Sequence, residues 1–257
     1  MNAELHVPAS DGGGKQRLDQ ALVAMGLMES RAQAQASIAA GLVTVDGVTA
    51  AKPGLKVSAE QDVRAQRAHP YVSRGGLKLA HGLKVFRVTP AGRTCLDVGA
   101  STGGFTDVLL RAGADHVYAV DVGRGQLHPS LRGHARVTSL ESTDARSLTR
   151  AILPRAPELV VCDASFIGLE KLLETPLGLA AADAEAVLLF KPQFQVGPAH
   201  VGRGGLVSDA VAAAAARAAF DAWLAGQGWR IASDCESPIT GGDGNREFLI
   251  HAIRQRA

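Results

Sequence analysis

Residues 96–110 read LDVGASTGGFTDVLL: an apolar run, a glycine-rich turn, and then apolar residues at helical spacing. This is a strand delivering the chain into a turn and a helix, and the pattern repeats downstream. TCLDVG (94–99), HVYAVDV (116–122), ELVVCDA (158–164) and AVLLFKP (186–192) are short β-branched or apolar runs. Helical segments such as FTDVLLRAG (105–113) and LEKLLETPLGLAA (169–181) separate them. Alternation of this kind predicts an α/β fold, a mostly parallel sheet covered by helices on both faces. The last two candidates, WRIASDC (229–235) and REFLIHAI (246–253), have only a Gly-rich loop between them and predict an antiparallel hairpin at the sheet's far end.

The turn itself points to a ligand. Gly99, Gly103 and Gly104 let backbone approach closely, and a helix opening at Gly104 presents free N–H groups. The spacing is not G-x-G-x-x-G and no Gly-Lys-Ser/Thr is present, so phosphate binding is disfavoured. Asp121, 22 residues after Gly99, is placed to accept both hydroxyls of a ribose, and Asp144 in ESTDARSL to face an adenine amino group. An acid at one strand end is often only a helix cap; acids at successive strand ends favour a cofactor. S-adenosylmethionine fits best, offering ribose and adenine without phosphate. The expected cofactor residues are Gly99, Ala100, Ser101, Gly103, Gly104, Phe105, Asp121, Val122, Asp144, Ala145 and Asp163, with no metal.

Toward the amino terminus the pattern changes. Residues 1–14 read as a flexible tail. RLDQALVAMGL (17–27) carries Leu18, Leu22 and Met25 at helical spacing and ends at Gly26; Ser30 caps a second helix that Gly41 closes; Asp46-Gly47 marks a tight hairpin. A small α/β module over 15–63 follows, then a linker at 64–71 and a large domain over 72–257. The 257 residues accommodate both. With 46% apolar and 20% charged residues and no long apolar run, the chain is expected to be cytoplasmic and not membrane-spanning. Cys95, Cys162 and Cys235 lack paired spacing and read as small buried hydrophobes. A net charge of +2 does not by itself announce nucleic acid.

Lys78 lies in YVSRGGLKLAHGL (71–83) on the flank of an apolar stripe of Leu79, Leu83 and Phe86. By periodicity alone it is a snorkelling lysine, with Gly75 and Gly82 leaving bare surface beside it. Asp163 ends ELVVCD, Lys191 ends AVLLFK, and Glu247 stands near the start of the final strand. Converging in one crevice, such a set is either a structural ion network or an active site.

Six segments in order, SRGGLKL, LDVGASTGGFTD, CDASFIGL, LFKPQFQVG, GRGGLVSD and GDGNREFL, resemble the TlyA family of ribosomal RNA 2'-O-methyltransferases, some of which carry the name hemolysin. The resemblance runs from about residue 15 to 255. It implies a Rossmann-like, S-adenosylmethionine-dependent methyltransferase of FtsJ-like type with a seven-stranded sheet, preceded by an S-four-type RNA-binding domain. It maps a catalytic tetrad onto Lys78, Asp163, Lys191 and Glu247; on chemical grounds Lys191 is the expected general base, the adjacent cation Lys78 and a dry site favouring its neutral form, although the sequence leaves open which lysine takes the proton. It also implies methylation of cytidine riboses in ribosomal RNA or ribosomal subunits. The chain departs from the pattern at Gln195, where the family carries Glu, and at Arg203, where it carries Lys. Over residues 1–70 seven basic residues balance seven acids, so RNA contact is expected from a local face of Lys15, Arg17 and Arg31, plus Arg74 from the next domain. Phe166 either stacks on a flipped nucleotide or is an ordinary core residue. No N/D-P-P-Y/F segment follows the fourth strand, which favours ribose over base amines as the target. The competing readings are a non-catalytic RNA-binding assembly factor and, least favoured, a membrane-active hemolysin.

Overall fold

The computed structural model describes Leu5–His6 and residues 14–255; most of the expected flexible tail, at 1–4 and 7–13, lies outside the described residues. The chain divides into two compact units, Met1–Arg74 and Gly75–Ala257.

In the first unit the elements are β1 (Leu5–His6), β2 (Gln16–Arg17), α1 (Leu18–Ala24), α2 (Arg31–Ala39), β3 (Val43–Val45), β4 (Val48–Thr49), β5 (Lys56–Val57) and β6 (Val63–Ala65). Local chemistry explains their limits. The Ser30 hydroxyl accepts the Gln33 N–H at 3.2 Å and opens α2. Asp46 and Gly47 both take positive φ, the geometry of a two-residue turn that matches strand twist, and they join β3 to β4. Strands run β1-β6-β3-β4 in one sheet and β2-β5 in another. Leu18, Leu22, Leu27, Ile38, Val43, Val57 and Val63 form the core. Two expectations are corrected. Leu5 and His6 pair with β6 and so are not free tail, and Arg64 and Ala65 belong to β6, so a linker cannot begin at 64.

The second unit contains α3 (Gly75–Phe86), β7 (Thr94–Val98), α4 (Gly104–Arg111), β8 (His116–Val120), α5 (Pro129–Arg132), β9 (Val137–Leu140), β10 (Leu159–Cys162), α6 (Leu169–Gly178), β11 (Glu185–Phe190), α7 (Ala210–Gly226), β12 (Trp229–Glu236) and β13 (Phe248–Arg254). Its seven-stranded sheet has the order β12-β13-β11-β10-β7-β8-β9. β7 to β11 pair in parallel, while β13 runs antiparallel to both β11 and β12. Every residue of β7 and β10 is buried, as strands covered on both faces must be. Fully burying a Leu or Val there contributes about 1.5–3 kcal/mol. The chain winds outward from β7 through β8 and β9, then crosses to β10 on β7's other side. Ligands in such sheets bind where the order reverses, beyond the carboxyl ends of the strands. Here that is the gap between Gly99 and Asp163. No described helix is long and apolar enough to cross a membrane.

Candidate active site

Gly99 leaves β7 at φ +81, and a Cβ there would lie 3.0 Å from the Ala164 backbone, so the turns after β7 and β10 touch at glycine. Beside them opens a cleft of about 470 Å³ whose walls include Gly99, Ser101, Asp121, Val122, Asp144, Ala145, Asp163, Ser165 and Phe166. Asp121 closes the turn: its Oδ2 accepts the Ser101 N–H at 2.8 Å and its Oδ1 the Gly123 N–H at 2.7 Å. Each oxygen keeps a lone pair for a hydroxyl. The loop facing it is held by Glu141, whose Oε1 accepts the N–H groups of Gln126 at 2.6 Å and Leu127 at 3.0 Å.

Other expected cofactor residues stand elsewhere. Ala100, Gly103, Gly104 and Phe105 are buried and do not line the cleft. Gly103, at φ +95, has side chains packed against it: a Cβ would fall 2.3 Å from Leu131 Cδ1 and 2.8 Å from Leu127 Cδ1. Asp144 lines the cleft, but Arg146 donates to both its oxygens, with the shortest contact at 2.6 Å, so an adenine amino group would share it. That pairing, above all the Arg146 hydrogen bonds, holds its carboxyl below the usual range.

Asp97 is a site residue that spacing did not single out, although it lies within the glycine motif. It is fully buried beneath the turn; Thr106 Oγ1 donates to its Oδ2 at 2.6 Å, and its Oδ1 has no partner. Burial first, and then the charges of Asp163 and Asp121, push its carboxyl up to about 7. The carboxylates that line the cleft, Asp121, Asp144 and Asp163, with Asp97 buried behind the turn, disfavour an anionic ligand and favour a cationic one.

At the cleft's other side Lys191 follows β11 and Asp163 follows β10, parallel neighbours. Lys191 Nζ lies 2.6 Å from Asp163 Oδ1 and donates to Ser165 Oγ at 2.9 Å. The β11–β13 ladder pairs Phe190 with Phe248, and one step further sets Lys191 across from Glu247. Lys78 reaches Glu247 from α3, with Nζ 2.5 Å from Oε2. Gly82 makes this possible. A Cβ there would meet Leu249 Cδ1 at 3.3 Å and Val187 Cγ1 at 3.4 Å, so its bareness lets α3 sit down on β11 and β13. Lys78 lies one turn earlier on the same helix face, and Glu247 two residues before Leu249 on the same strand face. Gly82 therefore serves packing and is not the exposed surface expected from sequence; Lys78 is buried and ion-paired, not snorkelling. Removing one partner of a buried pair costs about 3–5 kcal/mol, which ties the geometry of each lysine to its acid.

Phe166 is 92% exposed, so it is no core residue. It sits at φ +66, a conformation uncommon for an aromatic residue, with its ring 5.2 Å from that of Phe194. Phe194 in turn lies 5.8 Å from Lys191 Nζ. Lys15, Arg17, Arg31 and Arg74 belong to the first unit; Lys15, Arg31 and Arg74 are exposed and Arg17 is half-buried.

A doubly wound sheet with a glycine turn and a ribose-type acid at its switch point, and two lysine–carboxylate pairs at its strand ends, defines a methyltransferase of Rossmann-like fold. The family described as FtsJ-like methyltransferase matches residues 71–254, and the S4 domain matches residues 16–63. The chain is 45% identical over 236 residues to the 16S/23S rRNA (cytidine-2'-O)-methyltransferase TlyA of Mycobacterium tuberculosis, covering 91% of this chain and 88% of that protein. It is 35% identical to Hemolysin A of Brachyspira hyodysenteriae, covering 92% and 99% of the two chains. A solved structure from Streptococcus thermophilus, provisionally called a hemolysin, superposes with a TM-score of 0.74 at 36% identity, covering 95% of this chain and 90% of that one. The chain belongs to the FtsJ-like methyltransferases and, within them, to the TlyA family with its amino-terminal S4 domain.

Proposed function

We propose that this protein transfers a methyl group from S-adenosylmethionine to the 2'-hydroxyl of a cytidine ribose in ribosomal RNA, acting on the RNA or on ribosomal subunits in the cytoplasm. The observation that carries this reading is the two lysine–carboxylate ion pairs, Lys191–Asp163 and Lys78–Glu247, of which Asp163 lines the cleft together with Asp121 and Asp144. The cleft's chemistry suits the cofactor: Asp121 can take ribose hydroxyls, and Asp121 and Asp163, which line the cleft, supply negative charge for a ligand bearing a sulfonium and an ammonium. S-adenosylmethionine supplies a methyl group already activated for transfer.

The protein's own residues then have two tasks. They must align a ribose hydroxyl and take its proton. Alignment accounts for the larger share, since effective molarities reach about 10⁵–10⁸ M while a general base adds roughly 10²- to 10⁴-fold. Lys191 is the proton acceptor. Its Nζ donates to Ser165 Oγ and sits 2.6 Å from the Asp163 carboxylate, which steadies the positive charge that the nitrogen carries once it has taken the hydroxyl proton. Lys78, held by Glu247, keeps a positive charge beside the developing alkoxide. Phe166, exposed and beside this constellation, offers its ring to the target base, while Lys15, Arg17, Arg31 and Arg74 hold the RNA backbone.

The test is methyl transfer to unmodified ribosomal subunits by Lys191→Ala and Lys78→Ala, with cofactor affinity measured in parallel. Both variants lose transfer and retain cofactor binding. Substantial activity in either would sink the assignment. Good RNA binding by the wild type without methyl transfer would favour a non-catalytic assembly factor.

A further inference from the structure

The first unit holds a charge arrangement that its neutral balance conceals. Asp19, the second residue of α1, is completely buried. Arg17 grips it with two donors, Nε to Oδ1 at 3.0 Å and Nη2 to Oδ2 at 3.2 Å. From the start of α2, Arg31 Nη2 donates to Oδ2 at 2.9 Å, and Gln35 Nε2, one turn later, donates to the same oxygen at 3.0 Å. One carboxylate thus gathers a guanidinium group from β2 and a guanidinium group and an amide from α2. Hydrogen bonds from Arg17, the largest cause, together with those of Gln35 and Arg31, hold its carboxyl far below the ordinary range, so it stays charged at any working pH.

The guanidinium groups are not used up. The Arg17 and Arg31 side chains remain 40% and 54% exposed, and each guanidinium carries five N–H donors, of which Asp19 engages two on Arg17 and one on Arg31. Gly54 lies against the Arg17 fork, where a Cβ would sit 3.1 Å from Nη1. Across the β2–β5 pair, Arg17 stands directly opposite the exposed Lys56. By contrast, two acids of the unit are tied up elsewhere, Asp46 in the β3–β4 turn by Gln61 and Asp62, just before β6, by Arg64.

We propose that Asp19 is a positioning residue that yokes Arg17 and Arg31 into one phosphodiester-gripping face for RNA. This rests on the ribosomal RNA reading above and names the chemistry of the contact: two planar forks held at fixed spacing against the phosphate backbone, with no base read. An unyoked pair of long side chains would lose rotamer freedom on binding; the yoke removes that loss beforehand.

Asp19→Asn gives a test in which charge and positioning predict opposite signs. The substitution makes the unit more positive, so if charge alone governed the contact, RNA binding would tighten and its salt dependence would steepen. If Asp19 acts by positioning, affinity of the full-length protein for unmodified 16S and 23S ribosomal RNA transcripts falls by about tenfold, and the slope of log K against log salt flattens by roughly one unit for each phosphate no longer gripped. In methyl transfer the loss falls on KM for RNA and not on kcat. A folded Asp19→Asn protein that binds as well as wild type, or better, overturns the proposal. Should that variant fail to fold, Arg17→Lys and Arg31→Lys keep the charge and lose the fork; each weakens binding severalfold, and unchanged affinity in both overturns it equally. Failure of wild type itself to bind either transcript would instead remove the RNA reading, and the yoke with it.

Discussion

Replacing Asp97 by asparagine isolates a buried charge that the fold tolerates at a cost. In the folded protein its carboxyl is pushed from an ordinary 3.8 to about 7, chiefly by complete burial. A group whose pKa is raised on folding stabilises the native state at low pH, and that contribution is lost as pH rises from the unfolded value through the folded one. The full loss is about 4 kcal/mol at 1.36 kcal/mol per unit, and between pH 5 and pH 8 it is roughly 2.5 kcal/mol. The asparagine variant has no such titration. Urea unfolding of both proteins at several pH values therefore gives a stability difference, wild type minus variant, that falls by about 2.5 kcal/mol from pH 5 to pH 8 and then levels off. Because the charges of Asp163 and Asp121 contribute to the shift, a cationic ligand bound beside those two carboxylates favours ionised Asp97, and saturating S-adenosylmethionine reduces the fall. A stability difference that stays flat across this range, or rises with pH, would mean that burial does not raise the Asp97 pKa in the folded protein.

Other expectations follow from single contacts. Gly103→Ala places a Cβ 2.3 Å from Leu131 Cδ1 at a φ that only glycine takes easily, and should destabilise the large unit by about 2 kcal/mol or more; Leu131→Ala in the same chain should recover part of this, measured as a double-mutant cycle. Phe166→Asn accepts the left-handed backbone more readily and exposes no new apolar surface, so unfolding should show unchanged stability or a gain of up to about 1 kcal/mol, while KM for RNA rises. A fall in stability with normal KM would mean that the Phe166–Phe194 contact holds the loop and does not meet substrate.

The sheet was legible because its signals are local. The run from Thr94 to Arg111 declares strand, turn and helix within 18 residues, and the strands downstream repeat the pattern. The Ser30 cap and the Asp46-Gly47 turn are likewise decided by neighbours in sequence. The lysine pairs were not legible in this way. Lys78 and Glu247 are separated by 169 positions, and no periodicity in either segment names the other; only the family resemblance grouped them. The glycines show the same limit. That Gly82 faces Leu249, and Gly103 faces Leu131, depends on which element packs where, so a bare position legible as glycine was not legible as packing. Asp97 escaped notice for a related reason: a strand residue two positions before a glycine turn looks like one more buried position until its missing partner is seen.

On this reading the methyl acceptor is a ribose hydroxyl and not a base. Unmodified bacterial ribosomal subunits, incubated with the protein and S-adenosylmethionine, can be digested and their fragments mapped by mass. The expected result is a gain of one methyl group on the ribose of a cytidine, blocking 2'-hydroxyl-dependent cleavage at that nucleotide and absent with Lys191→Ala. A methyl group that leaves with the released base would contradict the claim, as would no methyl gain on either subunit.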